Sequence, residues 1–233
     1  METFERDVFN QLRKIRRGED VLVEYTSSEP IHLIFCTAIN YAKQSNTKVL
    51  LVDILDQLHL LKAHLELAGI DSSFIENLPV IKFGGVMKTG KILKRIELKS
   101  EISIWREQYL EALKEFQREE ESELAIRIVV GIEKLIKLYE DDPRALETFF
   151  GTIIRPFLGD EKRVLVTLVN TSLLNEEILQ EFREHSSRSF LVQLSEKRIH
   201  FQVIRSVDFE DYGKTFSIEA QELQDSLIKL KRG

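Results

Sequence analysis

Short apolar runs without a polar face constrain this chain more than any other feature of it. Val21-Leu22-Val23-Glu24-Tyr25, residues 48–53 and Val164-Leu165-Val166-Thr167-Leu168-Val169 are such runs, and Ile126-Arg127-Ile128-Val129-Val130 is a further strand. A strand with one wet face alternates apolar and polar residues. A strand buried on both faces reads as near-continuous apolar sequence, as in parallel sheets lying between helices. Segments with helical spacing separate these runs, at residues 31–43, 55–67, 101–120, 143–158 and 176–185. Strands alternating with helices predict an α/β fold of right-handed βαβ units around a mainly parallel sheet.

The remaining segments fill in the plan. Phe4, Val8, Leu12 and Ile15 follow helical spacing, and Gly18 ends that helix. Residues 78–83 form a short strand, and residues 91–98 alternate as an edge or hairpin strand. Residues 189–194 and 198–205 form a closing hairpin around Ser195-Glu196-Lys197, with one more strand at 214–218. With 233 residues, 43% of them hydrophobic, the chain suits one large core. One domain is predicted over residues 1–219, followed by a C-terminal helix or tail at 220–233.

Charge and cysteine usage narrow the function. A net charge of −6 argues against a generic nucleic-acid coat, which needs a basic surface. A charged fraction of 31% with a single cysteine and two methionines leans towards a thermophilic source. Cys36 is alone, so no disulfide forms within the chain, and a reducing cytoplasm is the expected compartment. No apolar run approaches the roughly 20 residues of a membrane span, so no membrane association is expected.

The order helix, Gly18-Glu19, strand, turn, long helix, strand, helix closed by Gly69-Ile70-Asp71 resembles the opening of the RecA-fold ATPases of KaiC type. Arg127-Ile128-Val129-Val130 followed by Gly131-Ile132-Glu133-Lys134-Leu135 is similar to that family's second metal-binding strand. Residues 163–169 with Asn170-Thr171-Ser172 are similar to its next strand and polar segment. The resemblance covers residues 8–206 and extends to a small hyperthermophilic archaeal family of KaiC-like proteins. It implies a three-layer α/β/α fold with an antiparallel C-terminal hairpin.

The family's chemistry rests on three devices, and the residues here depart from each. A phosphate loop needs glycines whose amides wrap the phosphates, a lysine and a magnesium-binding hydroxyl. The matching stretch is Tyr25-Thr26-Ser27-Ser28-Glu29-Pro30-Ile31-His32. Tyr25 and Pro30 stand at the glycine positions, Ile31 at the lysine and His32 at the hydroxyl. Pro30 has no amide to donate. Glu29 puts a carboxylate at the helix entrance, where the dipole stabilises it and where it repels an anion. The metal-binding aspartate falls on Gly131, and Glu133 substitutes only if the strand end is distorted. The acidic pair that activates water falls on Leu55 and Asp56, with Asp53 nearby. The resemblance therefore implies a crevice lined by Asp53, Asp56, Gly131, Glu133 and Asn170, with no catalytic residue, no metal and no cofactor.

Two other signals compete. Gly85-Val86-Met87-Lys88-Thr89-Gly90-Lys91-Ile92 nearly matches a phosphate loop but ends on Ile92 and runs into alternating residues, as a hairpin loop does. Lys88, Lys91, Lys94, Arg95 and Lys99 form the one dense basic stretch. That stretch reads as a solubilising edge, or as a face for an acidic partner or nucleic acid. The five histidines have no ligand spacing. The expected function is a non-catalytic module acting through protein or peptide binding or self-association. The alternatives are an atypical nucleotide-binding ATPase or sensor, and a nucleic-acid accessory factor.

Overall fold

The computed structural model describes residues 10–98, 101–119 and 125–229. Among these, nine strands form one sheet in the order β4-β3-β2-β5-β6-β1-β7-β8-β9. The strands are β1 (Asp20–Tyr25), β2 (Lys48–Ile54), β3 (Pro79–Phe83), β4 (Lys91–Ile96), β5 (Ala125–Val130), β6 (Arg163–Asn170), β7 (Arg188–Ser195), β8 (Arg198–Arg205) and β9 (Thr215–Glu219). Every pairing from β4 across to β7 is parallel, while β8 and β9 close the sheet antiparallel. The apolar runs occupy its centre, as two-sided burial demands.

Helices cover both faces. Helices α1 (Ile31–Gln44), α2 (Gln57–Leu67) and α7 (Ala220–Lys229) pack on one side, where Val21, Val23, Ile128 and Val192 point. Helices α3 (Ile102–Glu119), α4 (Ile132–Lys137), α5 (Pro143–Phe149) and α6 (Glu176–His185) cover the other, with Leu22, Val129 and Leu165. Neighbouring residues of β1 thus serve opposite cores, as the two-residue strand period requires. Leu12 and Ile15 of the predicted N-terminal helix pack on the first core, while Phe4 and Val8 lie outside the described residues.

Local sequence explains several ends. Trp105, Tyr109, Ala112, Leu113 and Phe116 form the buried stripe of α3, and the Trp105 indole donates to the Tyr139 hydroxyl at 3.0 Å. Asp142 accepts from the amides of Arg144 and Ala145 while Pro143 opens α5. The helix predicted over 143–158 widens into a π turn at Phe150–Ile154 and a tight turn at Arg155–Phe157. Pro156, which has no amide, sits in that last turn.

The strand at 91–98 corrects the hairpin option. β4 is an edge strand and runs parallel to β3, although only residues 84–90 connect them. Parallel neighbours usually need a dozen or more connecting residues. Here Gly84 and Gly85, at φ 57° and 68°, reverse the chain abruptly. A side chain at Gly85 would run into the Asp56 carboxylate.

At the opposite end of the sheet, the fully buried Arg188 gathers the chain. It donates to Glu19 at 2.8 Å, Ser206 at 2.9 Å and Asp208 at 2.6 Å. The segment expected as a helix or tail is helical as far as it is described, and Leu223 and Leu227 of α7 lie in the same core as α1. Leu223→Ala is therefore expected to lower unfolding free energy by about 2–5 kcal/mol in a single denaturant transition. A separate early transition, or no change, would mean that α7 is not part of the cooperative core.

Candidate functional site

The ligand position expected of an open α/β sheet lies where β1, β6, β5 and β2 end and their connections diverge. Its first wall is the turn between β1 and α1. There the Glu29 carboxylate folds back and accepts from the Thr26 amide at 2.5 Å and the Thr26 hydroxyl at 2.6 Å. The Ser28 amide donates to that same hydroxyl. Asn170 donates to the Ser27 hydroxyl at 3.0 Å, and the Ser27 amide donates to Ser172. Thr171 bonds the carbonyl of Tyr25. The amides of Thr26, Ser27, Ser28, Glu29 and Ile31, donors with which a strand–turn–helix entrance could meet an anion, are thus engaged internally.

Cationic charge is equally scarce here. Ile31, at the lysine position, is buried in the core. His32 packs edge-on against His64 at 5.5 Å, and burial, then the neighbouring imidazole, pushes it down to about 4. It is neutral at physiological pH. Arg183 grips the fully buried Glu24 through two bonds, at 2.9 and 2.7 Å, and also pairs with Glu176. Lys134 donates to the carbonyl of Leu55 at 3.4 Å.

Gly131 takes φ 83° at the start of α4, and a side chain there would strike the carbonyl of Ile54 at 2.5 Å. The close approach of two chains explains the glycine where the resemblance implies an aspartate. Glu133 does not reach out in its place. It is buried, and burial pushes its carboxyl up against the bonds from its own amide and that of Asn170. One of its oxygens has no hydrogen-bond partner. The nearby Tyr25 phenol is pushed up by burial and then by Glu133. No group of three metal-ligating side chains occurs among the described residues.

The acidic pair position holds the least expected feature. Asp53 is fully buried. Its carboxylate accepts from the Leu58 amide at 2.8 Å and from Lys82 at 2.7 Å. Lys82, itself fully buried, also donates to Asp56 at 2.6 Å. Asp56 in turn accepts from the amides of Val86 at 2.8 Å and Met87 at 3.0 Å. Burial raises the Asp56 carboxyl, but Lys82 and the Val86 amide outweigh it and hold it below its ordinary value. Leu55 and Asp56 both adopt positive φ, 49° and 64°, to make this junction. Sequence reading missed Lys82. The available signal was a lysine inside the otherwise apolar Val80–Phe83 stretch.

This junction also decides what the residue 85–91 loop does. Its amides at Val86 and Met87 face Asp56, and Gly90 leads into β4 where a phosphate loop would lead into a helix. In the basic stretch, Lys88 and Lys91 are exposed, Arg95 donates to the carbonyl of Gly85 at 2.9 Å, and Lys94 approaches Glu111 at 3.5 Å. Lys99 lies outside the described residues. Cys36 is buried in α1, its thiol pushed up to about 11 by burial.

The His32 shift gives a pH signature. The unfolded chain takes up this proton below its ordinary value of 6.5 and the folded chain only near 4. The folded state therefore loses stability as pH falls through that interval and keeps it above. Imidazole NMR is expected to show His32 neutral at pH 5.5 with a midpoint near 4, and His32→Gln should flatten the acid-side loss. A midpoint at the ordinary value would refute the burial described.

Comparison with known proteins adds the following. Solved structures that match include PH0250 from Pyrococcus horikoshii OT3, at 24% identity and TM-score 0.72, covering 90% of this chain and 96% of the other. The uncharacterized protein PH0321 from Pyrococcus horikoshii, solved in complex with an unknown peptide, matches at 13% identity and TM-score 0.61, covering 91% and 97%. The flagellar accessory protein FlaH from Methanocaldococcus jannaschii matches at 14% identity and TM-score 0.51, covering 91% and 89%. At these identities the likeness is one of fold, a RecA/KaiC-like sheet with an antiparallel finish. No curated protein matched. No helix among the described residues is long and apolar enough to cross a membrane. The family profile described as "Pyrococcus protein of unknown function, DUF257" matches residues 10–217, and the chain belongs to that family.

Proposed function

We propose that this chain is a non-catalytic, single-domain RecA/KaiC-like module that holds no nucleotide and works by binding a protein or peptide, a second copy of itself included. The observation that carries this reading is the Glu29 carboxylate on the amide and hydroxyl of Thr26. A triphosphate entering there must displace an internal anion already held by charge-assisted bonds, which are about twice as strong as neutral ones. It would gain no lysine in exchange, because Ile31 stands at that position.

A RecA/KaiC-like fold with Ile31 at the lysine position and Gly131 at the metal-binding position favours recognition over turnover. PH0321 shares the fold and was solved with a peptide, which supports a peptide as the kind of partner. The free, buried thiol of Cys36 suits a reducing cytoplasm.

The nucleotide alternative through residues 85–91 is weaker, because Asp56 already occupies the Val86 and Met87 amides. Titration calorimetry of the full chain with ATP or ADP and magnesium is expected to give no binding heat. Micromolar affinity abolished by Lys91→Ala would establish the nucleotide reading instead. Light scattering on the same preparation reports self-association. A strict monomer that also binds no peptide would remove the partner reading.

A further inference from the structure

We propose that the free edge of β4 takes up an extended acidic peptide as an added strand, with Lys88 at its entry and, across the register shift between Val80 and Ile81, Lys91 on one face of the sheet and Arg95 on the other facing its carboxylates. The proposal rests on the reading of the chain as a protein-binding module and names its partner chemistry.

β4 ends the strand order and pairs only with β3, so its outer backbone groups meet no strand among the described residues. An added strand satisfies such groups through main-chain bonds, while side-chain pockets and charges select the sequence. Charge distinguishes this edge from the other one. At β9 the flanking charges are already matched, Lys214 with Asp211 at 2.8 Å and Arg198 with Glu219 at 3.7 Å. At β4, Lys88 and Lys91 are exposed and have no ion-pair partner among the described residues, and Arg95 spends one donor on a carbonyl. Lys88, Lys91 and Arg95 outnumber the exposed Glu97 beside them on a chain of net charge −6, which is the complement of an acidic strand.

The approach to the edge is also rigid. Asp56, fixed from behind by buried Lys82, pins the amides of Val86 and Met87. Their side chains are left 84% and 39% exposed beside the basic stretch. They form an apolar foothold whose backbone is ordered before binding, which lowers the entropic cost of association. Nucleic acid fits less well. Single strands are held by aromatic side chains that stack on bases, and the exposed aromatic rings among the described residues, Phe209 and Tyr212, lie in the β8–β9 connection.

The test uses the full chain and three labelled probes: a glutamate octapeptide, acidic on both faces when extended, its lysine counterpart and an oligothymidylate. Fluorescence anisotropy measures affinity, and amide chemical shifts locate the contact. The acidic peptide is expected to bind, shift the amides of residues 91–96 and weaken with added salt. The exposed double variant Lys88→Glu/Lys91→Glu should weaken it about tenfold, the scale of two exposed ion pairs reversed. No binding by the acidic peptide, equal binding by the basic one, or oligothymidylate shifting the same amides would each overturn the proposal. Failure at this edge while calorimetry stays silent on nucleotide leaves the proposed function standing. Nucleotide binding alongside acidic-peptide binding at β4 does the reverse.

Discussion

The Glu29 carboxylate, bonded to the amide and hydroxyl of Thr26, governs the ligand position at the strand ends. It closes the turn between β1 and α1 at the one place where a RecA-like sheet would otherwise offer converging donors to an anion. The end of β3 repeats the device. There Asp56 takes the amides of Val86 and Met87, with the Lys82 ammonium behind it. Two strand ends are thus satisfied by carboxylates of the chain itself. Internal acceptors of this kind, unlike a ligand, do not depart. The result is two turns held closed by the chain's own carboxylates.

The buried ions follow the same logic. Lys82 lies between Asp53 and Asp56, and Arg188 among Glu19, Asp208 and Ser206, all without solvent around the cation. Such groups cost heavily when unpaired. Their placement is one of fixing chain geometry: the first permits a seven-residue parallel crossover, and the second ties the N-terminal segment to the start of β7 and the β8–β9 connection. Glu133 and Asp20 are buried carboxyls that each keep one oxygen unpartnered, and burial pushes both up towards the neutral form.

Much of this was legible in the sequence, for physical reasons. Two-sided burial writes itself as continuous apolar residues, so the central strands and their parallel direction could be read from residues 48–53 and 164–169 alone. The closing hairpin was legible because Ser195-Glu196-Lys197 separates two strand-like runs. The Glu29 carboxylate was expected at the helix entrance, and it instead folds back onto Thr26 and caps no helix amide. The direction of β4 was not legible. Seven residues suggest a hairpin, and what makes the parallel crossover possible is a bond between Asp56 and amides about thirty positions away. Lys82 was missed for the same reason, since its partners Asp53 and Asp56 lie 29 and 26 residues back. Asp53 stands near the end of β2, where side chains usually face the opening, yet it is fully buried. Its burial follows from that same lysine.

The account stands or falls on whether the first turn can open for a phosphate. Crystals of the chain soaked with ADP, magnesium and sulfate would answer this directly. The account predicts a turn still closed by Glu29 on Thr26, with neither nucleotide nor sulfate against residues 27–32. An anion seated on those amides, with the Glu29 side chain swung away, would contradict it.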